Sequence, residues 1–189
     1  LKDCLVYFEE NELVFLDLKT LKKVKWVSIH SESIISFHLF KNMLYLLCEN
    51  EIYEIKSPTS IKNYAIPPSI AQNFLTNTKD NLVILSKQAQ KYYFFKNGVF
   101  TKNKFQEKDL YIQNTTFTSN SNWLATTKGV LQCDFNNPNG DKKSYFKEYN
   151  ISYIFKDKNE NFWIATLNDG LLLVPDFETF LIPTPSSPS

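Results

Sequence analysis

Two histidines, three cysteines and scattered carboxylates are the side chains of this chain that could do chemistry. Their spacing argues against most of it. His38 sits inside the apolar run Ile34 to Phe40, where a hydrogen-bonded structural histidine is the expected role, and His30 has no catalytic company. Glu9 and Glu10 are sequence neighbours, so a strand points them to opposite faces and denies them acid–base geometry. The run Asp157-Lys158-Asn159-Glu160-Asn161 alternates oxygen side chains like the opening of a calcium loop. Its sixth position is Phe162 instead of the turn glycine and its twelfth is Asn168 instead of glutamate, so a strand-connecting turn is the better reading. Cys4, Cys48 and Cys133 have neither metal spacing nor the even number of a disulfide framework. No G-x-S-x-G, P-loop, H-E-x-x-H or C-x-x-C occurs. The expectation is therefore a segment with no catalytic residues, no metal and no cofactor.

The elements that would hold these residues are strands. Sixteen Phe and ten Tyr beside a single Met favour sheet over helix, and 43% hydrophobic residues exclude a disordered chain. All 21 basic residues are lysine, and the net charge is +1. Without arginine's planar fork, nucleic-acid readout is not expected. The short clusters Lys22-Lys23-Lys25 and Lys142-Lys143 read as solvated strand edges. No apolar run reaches the roughly 20 residues that span a bilayer, so no membrane segment is expected in this chain. It begins at Leu1 without a basic-then-apolar leader and reads as a piece of a longer protein.

One phrase occurs twice. Trp123-Leu124-Ala125-Thr126 precedes Gly129-Val130-Leu131, and Trp163-Ile164-Ala165-Thr166 precedes Gly170-Leu171-Leu172. Followed backwards, the frame gives anchors Leu5, Leu44, Leu82, Trp123 and Trp163, spaced 39, 38, 41 and 40 apart. Each period holds short strands split by polar turns, with Asn97-Gly98 and Asn139-Gly140 suited to tight hairpins and Glu178 to Ile182 available as a last strand. Four strands per period of about forty residues is the arithmetic of a β-propeller blade. The predicted fold is all-β. It is a β-propeller segment of four four-stranded blades (31–68, 69–108, 109–149 and 150–182) plus a partial N-terminal blade (1–30), followed by a Pro/Ser-rich tail (183–189). The first unit lacks an inner strand, so the segment reads as an open arc of a larger, seven-bladed ring, with apolar surface at both end blades that promotes association.

In this frame Trp123 and Trp163 are expected to pack between blades, and Gly129 and Gly170 to supply positive φ. Propellers usually bind ligands on the face that carries the loops between second and third strands and between blades. Those loops offer Asn50, Lys128, Asn168 and Asp169, with Glu148, Tyr149 and Asn150 between the last two blades. Polar loops with a nearby tyrosine suit a carbohydrate or another small ligand, or a peptide.

The last unit, from Ile151 to Asp176, resembles the two-component regulator propeller repeat through Ile151, Asp157, Asn161, Trp163, Ile164, Thr166, Gly170 and Leu171. It departs from the family pattern at Asn159-Glu160, where a glycine is usual, at Ala165 for the glycine of W-I-G-T, and at Asp169 for the first of two later glycines. The unit at Thr116 to Phe135 matches through Trp123, Leu124, Thr126, Gly129 and Val130. The resemblance implies an extracytoplasmic (periplasmic-side) sensor propeller, partnered by the rest of its ring and by downstream signalling domains that end in a histidine kinase core. A protein-docking scaffold with no signalling role is the alternative.

Overall fold

In a computed structural model, residues 3–9, 12–28, 34–67, 73–86, 91–105, 110–118, 121–175 and 177 are described. Among them every regular element is an antiparallel strand. The expected roles of His30, of Glu178 to Ile182 and of the tail fall outside these residues.

The chain divides into two compact units, 1–107 and 108–189. In the first, β1 (Cys4–Glu9), β2 (Glu12–Asp17) and β3 (Lys23–Ser28) form a three-stranded sheet. Next comes a four-stranded sheet of β4 (Ile34–Phe40), β5 (Met43–Cys48), β6 (Glu51–Ser57) and β7 (Ser60–Ala65). A third sheet joins β8 (Asn73–Asn77), β9 (Leu82–Ser86), β10 (Lys91–Lys96) and β11 (Val99–Lys104). The second unit holds a four-stranded sheet, β12 (Ile112–Thr118), β13 (Ser121–Thr126), β14 (Gly129–Cys133) and β15 (Lys143–Tyr145). Its other sheet has, among the described residues, three strands, β16 (Ile151–Lys156), β17 (Phe162–Thr166) and β18 (Leu171–Val174). Every sheet is a meander in chain order, as tight turns between short apolar strands dictate.

The sheets bury their faces on one another. Leu13 and Phe15 of the first sheet meet Leu46, Cys48, Tyr53 and Ile55 of the second. From the other face of the second sheet, Tyr45, Leu47 and Ile52 meet Leu75, Leu82, Ile84 and Phe95 of the third. In the second unit Trp123, Ala125 and Val130 meet Ile154, Phe162, Ile164 and Val174. A strand covered on both sides loses the alternation of a half-exposed one, and β5 and β13 are buried almost throughout. That loss hid a one-residue offset in the expected anchors. A bulge in the first strand separates Ile34 from Ser36, Ile112 from Asn114 and Ile151 from Tyr153, and the residue after it pairs with Leu47, Ala125 or Ala165. Two residues upstream on the partner strand stand Tyr45, Trp123 and Trp163. The tryptophans therefore correspond to Tyr45 and not to Leu44, which faces the first sheet. A one-residue slip of register moves a side chain to the opposite face.

Two further expectations change. Asn97 (φ 50) and Gly98 (φ 83) form the predicted tight turn, but Asn139 and Gly140 do not adopt positive φ. The link from β14 to β15 instead runs from Asp134 to Lys142, turning on the Asp134 carboxylate, which accepts from the Asn136 N–H at 2.8 Å. Trp123 is packed between sheets as expected, but Trp163 faces outward and is 36% exposed, because no described strand lies on that side of the last sheet.

Candidate ligand-binding face

The repeated Thr of each Trp phrase fastens the turn between second and third strands. Thr126 Oγ1 donates to the Gly129 carbonyl (2.8 Å) and accepts from the Lys128 N–H (3.1 Å). Thr166 Oγ1 donates to the Gly170 carbonyl (3.0 Å) and accepts from the Asp169 N–H (2.7 Å). Both turns close on a glycine of positive φ, Gly129 at 89° and Gly170 at 84°, as the sequence predicts. The fastened turns present Lys128, Asn168 and Asp169 at exposed tips.

Residues 148–150 run between these tips. The Tyr149 carbonyl accepts from the Gly129 N–H at 2.9 Å, and the Asn150 carbonyl accepts from the Leu167 N–H at 2.8 Å. Glu148 is exposed, whereas Tyr149 and Asn150 are half-buried. The Asn150 side-chain oxygen accepts from Gln113 Nε2 at 3.3 Å, which adds Gln113, the bulge residue of β12, to the face. Sequence reasoning missed Gln113 because a bulge leaves no compositional mark. Six of the seven predicted loop residues thus gather around one backbone segment. The backbone groups that hold it are paired, so recognition falls to the ammonium, carboxylate and amide tips. Asn50 belongs to the other unit, where it is exposed and its carbonyl accepts from the Ile66 N–H at 3.0 Å. A shallow cleft on the third sheet, lined by Asn81, Phe94, Lys96, Asn97, Val99 and Thr101, brings together none of the predicted residues.

The opposite turns are structural. Asp157 accepts from the Asn159 N–H (2.8 Å), the Asn161 N–H (3.0 Å), Asn161 Nδ2 (3.1 Å) and Trp163 Nε1 (2.9 Å). These donors, the Trp163 indole first, pull the carboxyl down to about 2. A carboxylate engaged by four N–H groups is a turn fastener, in keeping with the strand-connecting reading. Thr118 does the same for Trp123, accepting its indole N–H at 2.9 Å. The first strands are also joined sheet to sheet. Ser36 Oγ accepts from the Leu75 N–H (3.1 Å), and Asn114 Oδ1 accepts from the Ile154 N–H (3.4 Å). His38 Nε2 lies 2.8 Å from Asn77 Oδ1. Burial lowers the His38 pKa, and the Asn77 bond offsets part of that. His38 is thus a hydrogen-bonded strand residue.

No protein-family model matches the chain, and no curated protein does. Solved structures match at low identity. The extracellular domain of BT4673 from B. thetaiotaomicron, described as a hybrid two-component system, is 16% identical with a TM-score of 0.64, covering 91% of this chain and 26% of that one. Virginiamycin B lyase from Staphylococcus aureus is 13% identical with a TM-score of 0.62, covering 95% and 70%. YCF48 bound to D1 peptide is 16% identical with a TM-score of 0.58, covering 90% and 62%. The chain has a β-propeller fold. It spans about a quarter of the length of the two-component relative. The extracellular domain and the lyase resemble it equally in shape, so the fold by itself does not choose between binding and catalysis.

Proposed function

We propose that this chain is the ligand-sensing part of an extracytoplasmic propeller belonging to a two-component receptor, and that it is non-catalytic in itself. The observation that carries this reading is the geometry of the last sheet. Asp157, Trp163, Thr166 and Gly170, the positions that resemble the regulator repeat, each have a definite task there: Asp157 fastens one turn and holds the Trp163 indole, and Thr166 and Gly170 close the next. The likeness to the extracellular domain of a two-component system supports the same reading. The ligand would be a carbohydrate or another small polar molecule, held at the seam of Lys128, Glu148, Tyr149, Asn150, Asn168 and Asp169. Amide, carboxylate and ammonium groups beside a half-buried tyrosine offer the hydrogen bonds and the flat apolar surface that a sugar ring uses.

The test is a panel of oligosaccharides titrated calorimetrically into the full-length receptor's ectodomain, alongside a reporter for kinase output. A ligand that binds, raises or lowers output, and loses at least tenfold in affinity with Tyr149→Ala or Asp169→Asn supports the proposal. Unchanged affinity in both variants, or output indifferent to every bound ligand, overturns it.

A further inference from the structure

On the third sheet, Leu82, Ile84, Tyr93 and Phe95 face the second sheet. Alternation therefore sends Val83, Phe94, Lys96, Val99 and Thr101 to the other side, where Phe94 pairs with Val83 and Thr101, and Lys96 with Val99. Val83 is the counterpart of Tyr45 and Trp123, which stand 38 residues before it and 40 after it. Tyr45 reaches across to its strand partner Glu54, the hydroxyl 3.3 Å from the carboxylate. Val83 is too short to cover its own partner, Phe94, which is left half-buried. The space so vacated belongs to the cleft noted above, of about 380 Å³. That volume falls within the ~300–1,000 Å³ of small-molecule sites.

The cleft is built on a fixed support. The Phe94 ring is held edge-to-face by the fully buried Tyr92, 5.4 Å between centres. On its other side the hairpin of β10 and β11 rests on Tyr64 of the second sheet, 5.3 Å from Phe95, and a Cβ on Gly98 would lie 2.7 Å from the Tyr64 ring. Asn81 is pinned at its turn, its N–H donating to Thr78 Oγ1 (3.1 Å) and its carbonyl accepting from the Thr78 N–H (2.9 Å). Side chains on such supports are preorganised for a ligand.

The two ends of the cleft differ. Leu82 pairs with Phe95, so the next step of the register sets Asn81 beside Lys96, and Asn97 follows at the turn. Two amides and an ammonium thus share one end, while Phe94, Val99 and Thr101 form the other. Lys96 is exposed and makes no ion pair among the described residues. The hairpin, residues 91–104, carries four lysines and no carboxylate. Asp80, next to Asn81, faces Lys41 of the second sheet at 3.9 Å. The field at the cleft therefore favours an anion.

We infer that this cleft binds a small aromatic carboxylate, its ring against Phe94 and its carboxylate at Lys96 between the Asn81 and Asn97 amides. An aromatic pair suits the ring end, and a charge-assisted hydrogen bond suits the other. A sugar ring laid on Phe94 would find only the Thr101 hydroxyl for its own hydroxyls, and polar groups left unpaired cost binding. This site is separate from the seam of the second unit and adds a second ligand class to the chain.

Saturation-transfer NMR titrations of the full chain test the inference with three probes: phenylacetate, 2-phenylethylamine, which has the same ring with the opposite charge, and galacturonate, which has the carboxylate on a sugar ring. No seam residue and no oligosaccharide enters the readout, so its outcome is separate from the sensing proposal. Phenylacetate is expected to bind in the millimolar range or tighter, with its ring protons most strongly saturated, and to bind more tightly than either other probe. Lys96→Gln is expected to weaken it about fivefold and Phe94→Leu about tenfold. Val99→Glu, at an exposed position opposite Lys96, places a carboxylate in the cleft and is expected to abolish binding, which keeps the test decisive if Phe94→Leu fails to fold by circular dichroism. Absence of phenylacetate binding, equal binding of 2-phenylethylamine or galacturonate, or an affinity untouched by Lys96→Gln and Val99→Glu overturns the inference.

Discussion

Gly129 and Gly170 share a positive φ but not a neighbourhood. A Cβ on Gly129 would lie 2.3 Å from the Tyr145 carbonyl oxygen and 2.6 Å from that of Phe146, whereas one on Gly170 meets nothing within 4 Å. Gly170→Ala is expected to cost only the left-handed strain, about 1–2 kcal/mol, and Gly129→Ala clearly more, because backbone must also move. Urea denaturation of the two variants measures the difference, and equal costs would mean that the close approach at Gly129 is relieved cheaply. Glu160 shows the converse. It adopts φ 67° where the regulator repeat usually has glycine. Asp157 brings a pH dependence to the same turn. Its folded pKa of about 2 lies below the ordinary 3.8, so its contribution is present above pH 3.8 and is lost as pH falls toward 2. Asp157→Asn is expected to remove that part of the acid sensitivity, seen as a flatter melting temperature between pH 4 and 2. An unchanged acid profile would show that the carboxylate does not hold the turn.

At the scale of the element, one Trp phrase performs two tasks set by its neighbours. Trp123 lies 4.6 Å from Phe162 and 4.5 Å from Phe177, ring centre to ring centre, and is 6% exposed. Phe177 completes this cluster, 4.5 Å from Tyr145 and 4.8 Å from Phe162. Removing a side chain so enclosed leaves a cavity that rigid sheets cannot refill, so Trp123→Ala and Phe177→Ala are each expected to cost about 3–5 kcal/mol. Trp163→Ala, on the open face, is expected to cost about 1 kcal/mol or less. Similar losses for Trp123 and Trp163 in equilibrium unfolding would contradict this division. Phe177 could not be singled out from sequence, because it follows the last periodic strand and nothing in its spacing ties it to Trp123.

For the molecule as a whole, the period was legible because its last two units write it in residues with steep local demands, Gly129 and Gly170 at positive φ with Thr126 and Thr166 closing each turn, and the earlier units keep its length and strand order. The register was less so. Tyr45 and Leu44 are both apolar and lie on a strand covered on both faces, so composition does not say which one faces which sheet. The candidate ligand face was legible as a set of loops, and the backbone bonds of Tyr149 and Asn150 turn six of those loop residues into a seam. Gln113 was hidden by the bulge, and no ligand chemistry is written in turn tips that water would also accept. Charge supplies the last whole-molecule consequence. Net charge is near zero around the sequence pI of 7.8, so little repulsion opposes contact between apolar end faces there. At pH 5 carboxylates begin to protonate, so the chain becomes more cationic and self-repelling. His38, held neutral longer by burial, lags behind. Light scattering at fixed concentration is therefore expected to be highest near pH 7.8 and to fall toward pH 5, with added salt restoring it by screening. Association that strengthens steadily toward pH 5 in low salt would mean that acid unfolding, and not apolar docking of folded chains, drives it.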